Sequence, residues 1–156
     1  MSNTLTRIGA LSTTVDTTAQ RTAGALLNLF LRWYVGWQFF KSGMLKLKDW
    51  DSTLSLFHTE YHTPLLPPDV AAVMGAFGEI TFPLLLFIGL FSRPAAIGLF
   101  FVNCVAVISY PALFKFECPA AINDHFYWGM ILVVIAVWGA GLVSVDGWLA
   151  RGGRKV

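Results

Sequence analysis

Arg32 and Glu79 stand out in this chain because each sits near the middle of a long apolar stretch. A charge in such a setting is costly, so it faces the interior of a bundle and finds a partner there. Two readings follow. Either the two residues pair across neighbouring helices and fix their packing, or they form a polar site that binds a ligand or moves a proton. Burial would keep Glu79 neutral unless Arg32 offsets it. His125 opens the last apolar stretch and is a third candidate for proton transfer, with Trp128 about one turn later. Gln38 and Lys41 lie one turn apart toward the outer end of the first stretch. Lys41 either snorkels to the interface or donates into an outward-opening pocket. Asn103 and Tyr110 share a helix face at i and i+7; the first suits an interhelical hydrogen bond and the second an interfacial position. The catalytic candidates are therefore Arg32, Glu79 and His125. The ligand-binding candidates are Gln38, Lys41, Asn103, Tyr110 and Trp128.

His58 and His62 are four residues apart, a spacing that puts two imidazoles on one helix face as some metal sites require. No glutamate base stands between them and further ligands are not evident. Cys104 and Cys118 form no C-x-x-C pair, which argues against a dithiol exchange enzyme. Only His125 lies near the end of a span, so haem held by two histidines within the membrane is not expected.

The elements that must position these residues follow from composition. Of 156 residues, 56% are hydrophobic and only 13% charged, against about 25% charged in soluble domains. Six Trp and thirteen Phe are more apolar surface than a soluble domain this small could hide. A net charge of +2 without a basic, aromatic-interleaved stripe excludes nucleic acid as a partner. Four stretches are long enough to span a bilayer, near 23–43, 70–91, 94–113 and 126–145. The fold class is all-α, an integral membrane four-helix bundle occupying 22–149. A flexible, Ser/Thr-rich cytoplasmic tail, 1–21, precedes it and a basic cytoplasmic tail, 150–156, follows.

Ser92-Arg93-Pro94 makes a tight turn between the second and third spans. Asn123 or Asp124 is suited to cap the fourth. Between the first two spans, Trp50, Leu54 and Phe57 fall on one face, which predicts a short amphipathic helix at the membrane surface. Arg7, Arg21, Arg93, Arg151, Arg154 and Lys155 lie on the N-terminal side, against Lys41, Lys46, Lys48 and Lys115 opposite. That balance predicts cytoplasmic termini. Glycines at 36, 43, 75 and 78 suit close helix approach.

An ordered set of features carries a family resemblance. The first span reads Leu31-Arg32-Trp33-Tyr34-Val35-Gly36, then Phe39-Phe40-Lys41-Ser42-Gly43 and Lys46-Leu47. The loop ends Glu60-Tyr61-His62-Thr63-Pro64-Leu65-Leu66-Pro67-Pro68, and Gly78-Glu79 precedes Leu84-Leu85-Leu86-Phe87-Ile88-Gly89-Leu90-Phe91-Ser92-Arg93. Pro94-Ala95-Ala96, Asn103, Ser109-Tyr110-Pro111, His125-Phe126-Tyr127-Trp128-Gly129 and Ser144-Val145-Asp146 complete it. The chain resembles the DoxX family of small bacterial membrane proteins over most of 25–149. The resemblance implies a four-helix membrane bundle in the bacterial inner membrane. It also implies association with redox systems, including thiosulfate oxidation coupled to quinone reduction, or with sulfur, oxidative-stress or metal-peptide maturation systems. Arg32, Glu79, Asn103, His125 and Asp146 match the family's recurring polar positions in kind.

The leading expectation is a membrane subunit of an oxidoreductase system that binds or serves quinone, with a redox or maturation protein as partner. The alternatives are a non-catalytic assembly or anchoring protein, and a metal or small-solute handling protein using the outer histidines. The aromatic spans permit a homo-oligomer.

Overall fold

The computed structural model describes the backbone of residues 2–114 and 120–152, and the side chains of 17, 19–111, 113–114 and 120–152. Arg7, Lys115, Cys118, Arg154 and Lys155, which entered the sequence reading, lie outside the described side chains. The elements are α1 (Ser2–Lys48), α2 (Trp50–Thr59), α3 (Pro68–Ile88), α4 (Ser92–Ser109), a short 3₁₀ turn (Pro111–Phe114), α5 (Ala120–Trp138) and α6 (Val145–Gly152). Among the described residues no strand occurs. Every backbone group placed in lipid must be satisfied within the protein, and a helix does this within one segment.

Among the described residues three helices are long and apolar enough to cross a membrane: Pro68–Ile88, Ser92–Ser109 and Ala120–Trp138. Helix α1 is longer than any of them, but Asn28, Arg32 and Gln38 interrupt its apolar run. It packs chiefly on α3, α3 on α4, and α4 on α5, which returns to α1. One core joins all four, with Val35 and Phe39 from α1, Leu86 from α3, Ala95, Ala96 and Leu99 from α4, and Leu132 and Ile135 from α5.

Local sequence explains most of the boundaries. Pro68 opens α3 at a position whose N–H would be unbonded anyway. Gly89 closes it in the left-handed conformation, φ 71°, with its N–H returning to Leu85 and Leu86. The α1–α3 contact is close because glycines face it. A Cβ on Gly36 would stand 2.7 Å from the Phe87 ring, and one on Gly43 would stand 2.7 Å from Ile80 and 3.0 Å from the Glu79 Cβ. Such small-residue contacts let helices approach where burial from water supplies no drive.

The helix expected over 126–145 runs instead from Ala120 to Trp138. Asn123 and Asp124 therefore lie inside its first turns rather than capping it. Residues 139–144, apolar as far as Val143, leave the helix through Gly139 and Gly141, φ 79° and 71°, and turn back over the α3–α4 junction.

The short amphipathic helix is present as α2, but its apolar face is covered by protein. Phe57 is buried with Ala71 and Ala72 of α3, and Trp50, Leu54 and Tyr61 pack beside them. Asp49 caps α2, accepting from the Ser52 N–H at 3.1 Å and the Ser52 hydroxyl at 2.7 Å. Those bonds hold the Asp49 carboxyl below its ordinary range. A carboxyl depressed on folding stabilises the folded form above its unfolded pKa and loses that contribution as pH falls through the folded value. Amide exchange in the first turn of α2, corrected for intrinsic rates, should therefore accelerate selectively through the acid range. Asp49→Ala should remove that dependence; protection unchanged across the range in the parent protein would sink the account.

Candidate functional site

The polar residues of the interior fall into three separate groups. The first is a clasp at the α6 end. Arg32 is fully buried. Its Nε donates to Asn28 Oδ1 at 3.1 Å, one Nη donates to the Leu86 carbonyl at 3.0 Å, and the other donates to the Val143 carbonyl. Asn28 in turn donates to the Gly139 carbonyl at 2.9 Å. The guanidinium thus ties α1 to the end of α3 and to the chain leaving α5. It approaches Gly89 so closely that a Cβ there would collide with it.

Asp146 completes the clasp. Its carboxylate accepts from the Phe91 and Ser92 N–H groups, both at 2.9 Å, and its own N–H donates to the Gly89 carbonyl at 2.9 Å. A carboxylate at a helix N-terminus satisfies free donors and opposes the helix dipole. Here it also holds Phe91, which has a positive φ of 48°, an uncommon conformation for a bulky residue.

The second group lies between α4 and α5. Asn103 Nδ2 donates to the His125 carbonyl at 2.9 Å, and Asn103 Oδ1 lies 2.7 Å from His125 Nδ1. An amide oxygen only accepts, so Nδ1 carries the hydrogen. Trp128 meets the His125 ring edge-on at 4.9 Å and Phe39 at 5.5 Å.

The third group is a cavity toward the α2 end. It measures about 440 Å³ and lies among α2, α3, α4 and the 60–67 loop. Its walls are apolar or small, including Ala71, Gly75, Phe82, Gly98, Val102 and Ala106. Met74, Phe77, Phe101 and Val105 contribute exposed side chains to the same wall. One ion pair stands in it: Lys46 Nζ lies 2.6 Å from Glu79 Oε2, with side chains only 15% and 9% exposed. Lys46 also donates to Ser42 Oγ at 2.9 Å. An ammonium has three N–H donors, and two of them have a partner among the described residues. Ser109 also contributes to the wall, and its buried hydroxyl has no partner. Pro83, one turn beyond Glu79 and buried, lacks the N–H that the Glu79 carbonyl would otherwise meet.

The sequence-predicted residues therefore do not converge. Arg32 does not pair with Glu79, because the antiparallel register of α1 and α3 sets Arg32 against Leu86 and Lys46 against Glu79. Fourteen residues of helix separate those two levels of α1, about 21 Å. Lys41 is exposed and Gln38 half-buried. Tyr110 stacks on Tyr61 at 5.1 Å, and Tyr61 on Phe57 at 4.7 Å. His58 bonds Asp69 at 3.0 Å, and the His62 N–H donates to the Ser109 carbonyl at 2.7 Å. Among the described residues no three His, Cys, Asp or Glu side chains group as a metal site.

Sequence reasoning missed Lys46 as the partner of Glu79, and it missed Tyr61 and Ser109 as cavity walls. The signal for Lys46 is its spacing: it lies three residues beyond Gly43, and so shares the glycine-marked face of α1.

The family model for DoxX matches residues 27–112. A protein of Haemophilus influenzae described as uncharacterized is 28% identical over 123 residues, covering 76% of this chain and 80% of its own. No solved structure matches the chain. The matched residues include α2, α3, α4 and the part of α1 that carries Arg32, Gly43 and Lys46, and therefore the whole Lys46–Glu79 cavity.

Proposed function

The chain belongs to the DoxX family, and on that premise we propose that it is the membrane subunit of an oxidoreductase system and binds quinone over the Lys46–Glu79 pair. In this reading α1 is a fourth span beside α3, α4 and α5, in a bacterial inner membrane. Both termini are cytoplasmic, so the α2 end faces outward. The span-flanking basic residues Arg21, Arg93 and Arg151 at the α6 end support that orientation.

The observation that carries the proposal is the third donor of Lys46 in an otherwise apolar cavity. A quinone head group is a flat apolar ring bearing carbonyl acceptors. It dissolves in lipid and enters sideways, past Met74, Phe77, Phe101 and Val105. One carbonyl then accepts from Lys46. Glu79, already within hydrogen-bond reach of Lys46, gives or takes the proton that accompanies electron transfer. Reduction consumes two electrons and two protons per quinone. The electrons come from a reduced flavin, haem or iron–sulfur protein, because this sequence carries no flavin, iron–sulfur or dithiol motif of its own.

Arg32 and the Asn103–His125 pair are taken up by bonds within the protein. A chain with polar residues only of that kind would serve as an anchor; the Lys46 donor is what separates the two readings. The test is to purify the protein gently from native membranes and measure quinone per chain, with Ala106→Phe beside it. Ala106 is a wall residue, and the added ring takes up cavity volume while leaving both members of the ion pair in the sequence. Near-stoichiometric quinone in the parent, falling to the level of co-purified lipid in a folded Ala106→Phe protein, is expected. No enrichment in the parent would turn the reading toward an anchoring protein.

A further inference from the structure

A second cavity of about 340 Å³ lies directly beside the first. The two share Phe57, Tyr61, Thr63 and Leu66. The second adds His58, His62 and Pro68, and it lies at the aqueous end of the molecule. There His58 and its partner Asp69 have side chains 51% and 67% exposed. These shared residues therefore form a common wall between this polar recess and the cavity that holds Glu79.

The opposite direction is closed three times over. Val102 presses on Gly78, with a methyl 2.8 Å from where a Cβ would be, and the Phe82 ring covers Gly98. Beyond them the core of Val35, Leu86, Leu99, Leu132 and Ile135 is fully buried. Behind that core stands the Arg32 guanidinium, with its nitrogens bonded to Asn28 and to two carbonyls. A fixed buried cation repels protons and cations on any path through it.

We infer that the Lys46–Glu79 cavity is open to water from the α2 end alone, through the second cavity, with Tyr61 and Thr63 forming the passage. Tyr61 suits that place. Its hydroxyl both donates and accepts. Burial first, then the negative charge of Glu79 and the nearby Tyr110 and Glu60, hold its pKa above the ordinary value, so it keeps its proton. The groups facing the route are His58, His62 and Asp69 on the water side, with Lys46 and Glu79 inside. The consequence for chemistry, that protons reach or leave a quinone on this side only, rests on the proposed function. The water route does not.

The test uses the full chain in sealed vesicles, with Cys104→Ser and Cys118→Ser as background. Gly75→Cys places a thiol in the first cavity only, where a Cβ meets just the Phe57 ring at 3.7 Å. Ser55→Cys on α2 and Trp148→Cys on α6 mark the two membrane sides. A charged, impermeant methanethiosulfonate should modify Gly75→Cys from the side that modifies Ser55→Cys, and not from the side that modifies Trp148→Cys. Adding Thr63→Trp should slow that reaction at least tenfold and leave reaction with a lipid-soluble maleimide unchanged, which also reports a folded cavity. Modification from the Trp148 side overturns the inference. So does a rate indifferent to Thr63→Trp, or reaction with the lipid-soluble reagent alone. Quinone content measured in the same preparations reports the proposed function separately: protein without quinone that labels as described loses that function and keeps the route.

Discussion

Arg32→Leu should destabilise the protein by about 2–6 kcal/mol, the scale for stranding two buried acceptors. The side chain is fully buried and donates to Asn28, Leu86 and Val143. Leucine fills much of the volume but leaves the Asn28 oxygen and the Val143 carbonyl without the donor they have here, while the Leu86 carbonyl keeps only the Gly89 N–H, and each stranded buried acceptor costs about 1–3 kcal/mol. The loss should spread through the clasp, because Asn28 also holds the Gly139 carbonyl and Asp146 holds the start of α4. Arg32→Lys keeps the charge but has no planar fork to reach several acceptors at once, so it should retain part of the stability. Its quinone content should equal that of the parent, since the cavity lies at the other end of α1. Thermal denaturation in detergent and quinone per chain check both statements. A leucine variant as stable as the parent would remove the clasp from the account. A well-folded lysine variant without quinone would bring Arg32 back into the site.

How much of this was legible beforehand depends on which coordinate a residue reports. The all-helical membrane fold follows from composition and from apolar runs, which are local properties. Facing on one helix is legible too. Arg32, Gly36, Phe39, Gly43 and Lys46 are spaced at nearly whole turns and share a stripe, whereas Lys41 stands nine residues from Arg32, about two and a half turns, on the opposite side. The exposure of Lys41 and the burial of Arg32, Gly36, Phe39 and Gly43 agree with that spacing. The level at which α1 meets α3 is a different matter. It is set by how residues 49–67 fold, with α2 laid on α3 through Phe57, Ala71 and Ala72. No charge pattern states that register, so Arg32 and Glu79 read as partners when they are not. The end of α5 was hidden for a related reason. Residues 139–143 are as apolar as a helix, and the chain turns there because Asn28 and Arg32, more than a hundred positions away, satisfy the freed carbonyls.

Lys46 and Glu79 should separate structure from function when they are changed together. Lys46→Met strands a buried carboxylate and Glu79→Leu strands a buried ammonium, so each single change should cost stability on the order of 3 kcal/mol. The side chains are slightly exposed, and proton loss or uptake by the stranded group limits the cost. The double variant has no charge left to strand. Apolar residues of similar size in place of a buried ion pair are often neutral or stabilising, so its stability should return to within about 1 kcal/mol of the parent. Quinone should not return with it. A hydrogen bond from a charged donor is worth about 1.5–3 kcal/mol, roughly ten- to a hundredfold in affinity, and methionine supplies no donor. The cycle is read by thermal denaturation for stability and by titration with a short-chain quinone analogue for binding. A stable double variant that has lost the analogue makes the pair a binding site. A stable double variant that binds it as the parent does would make the pair a packing device, and the cavity above it would need another ligand.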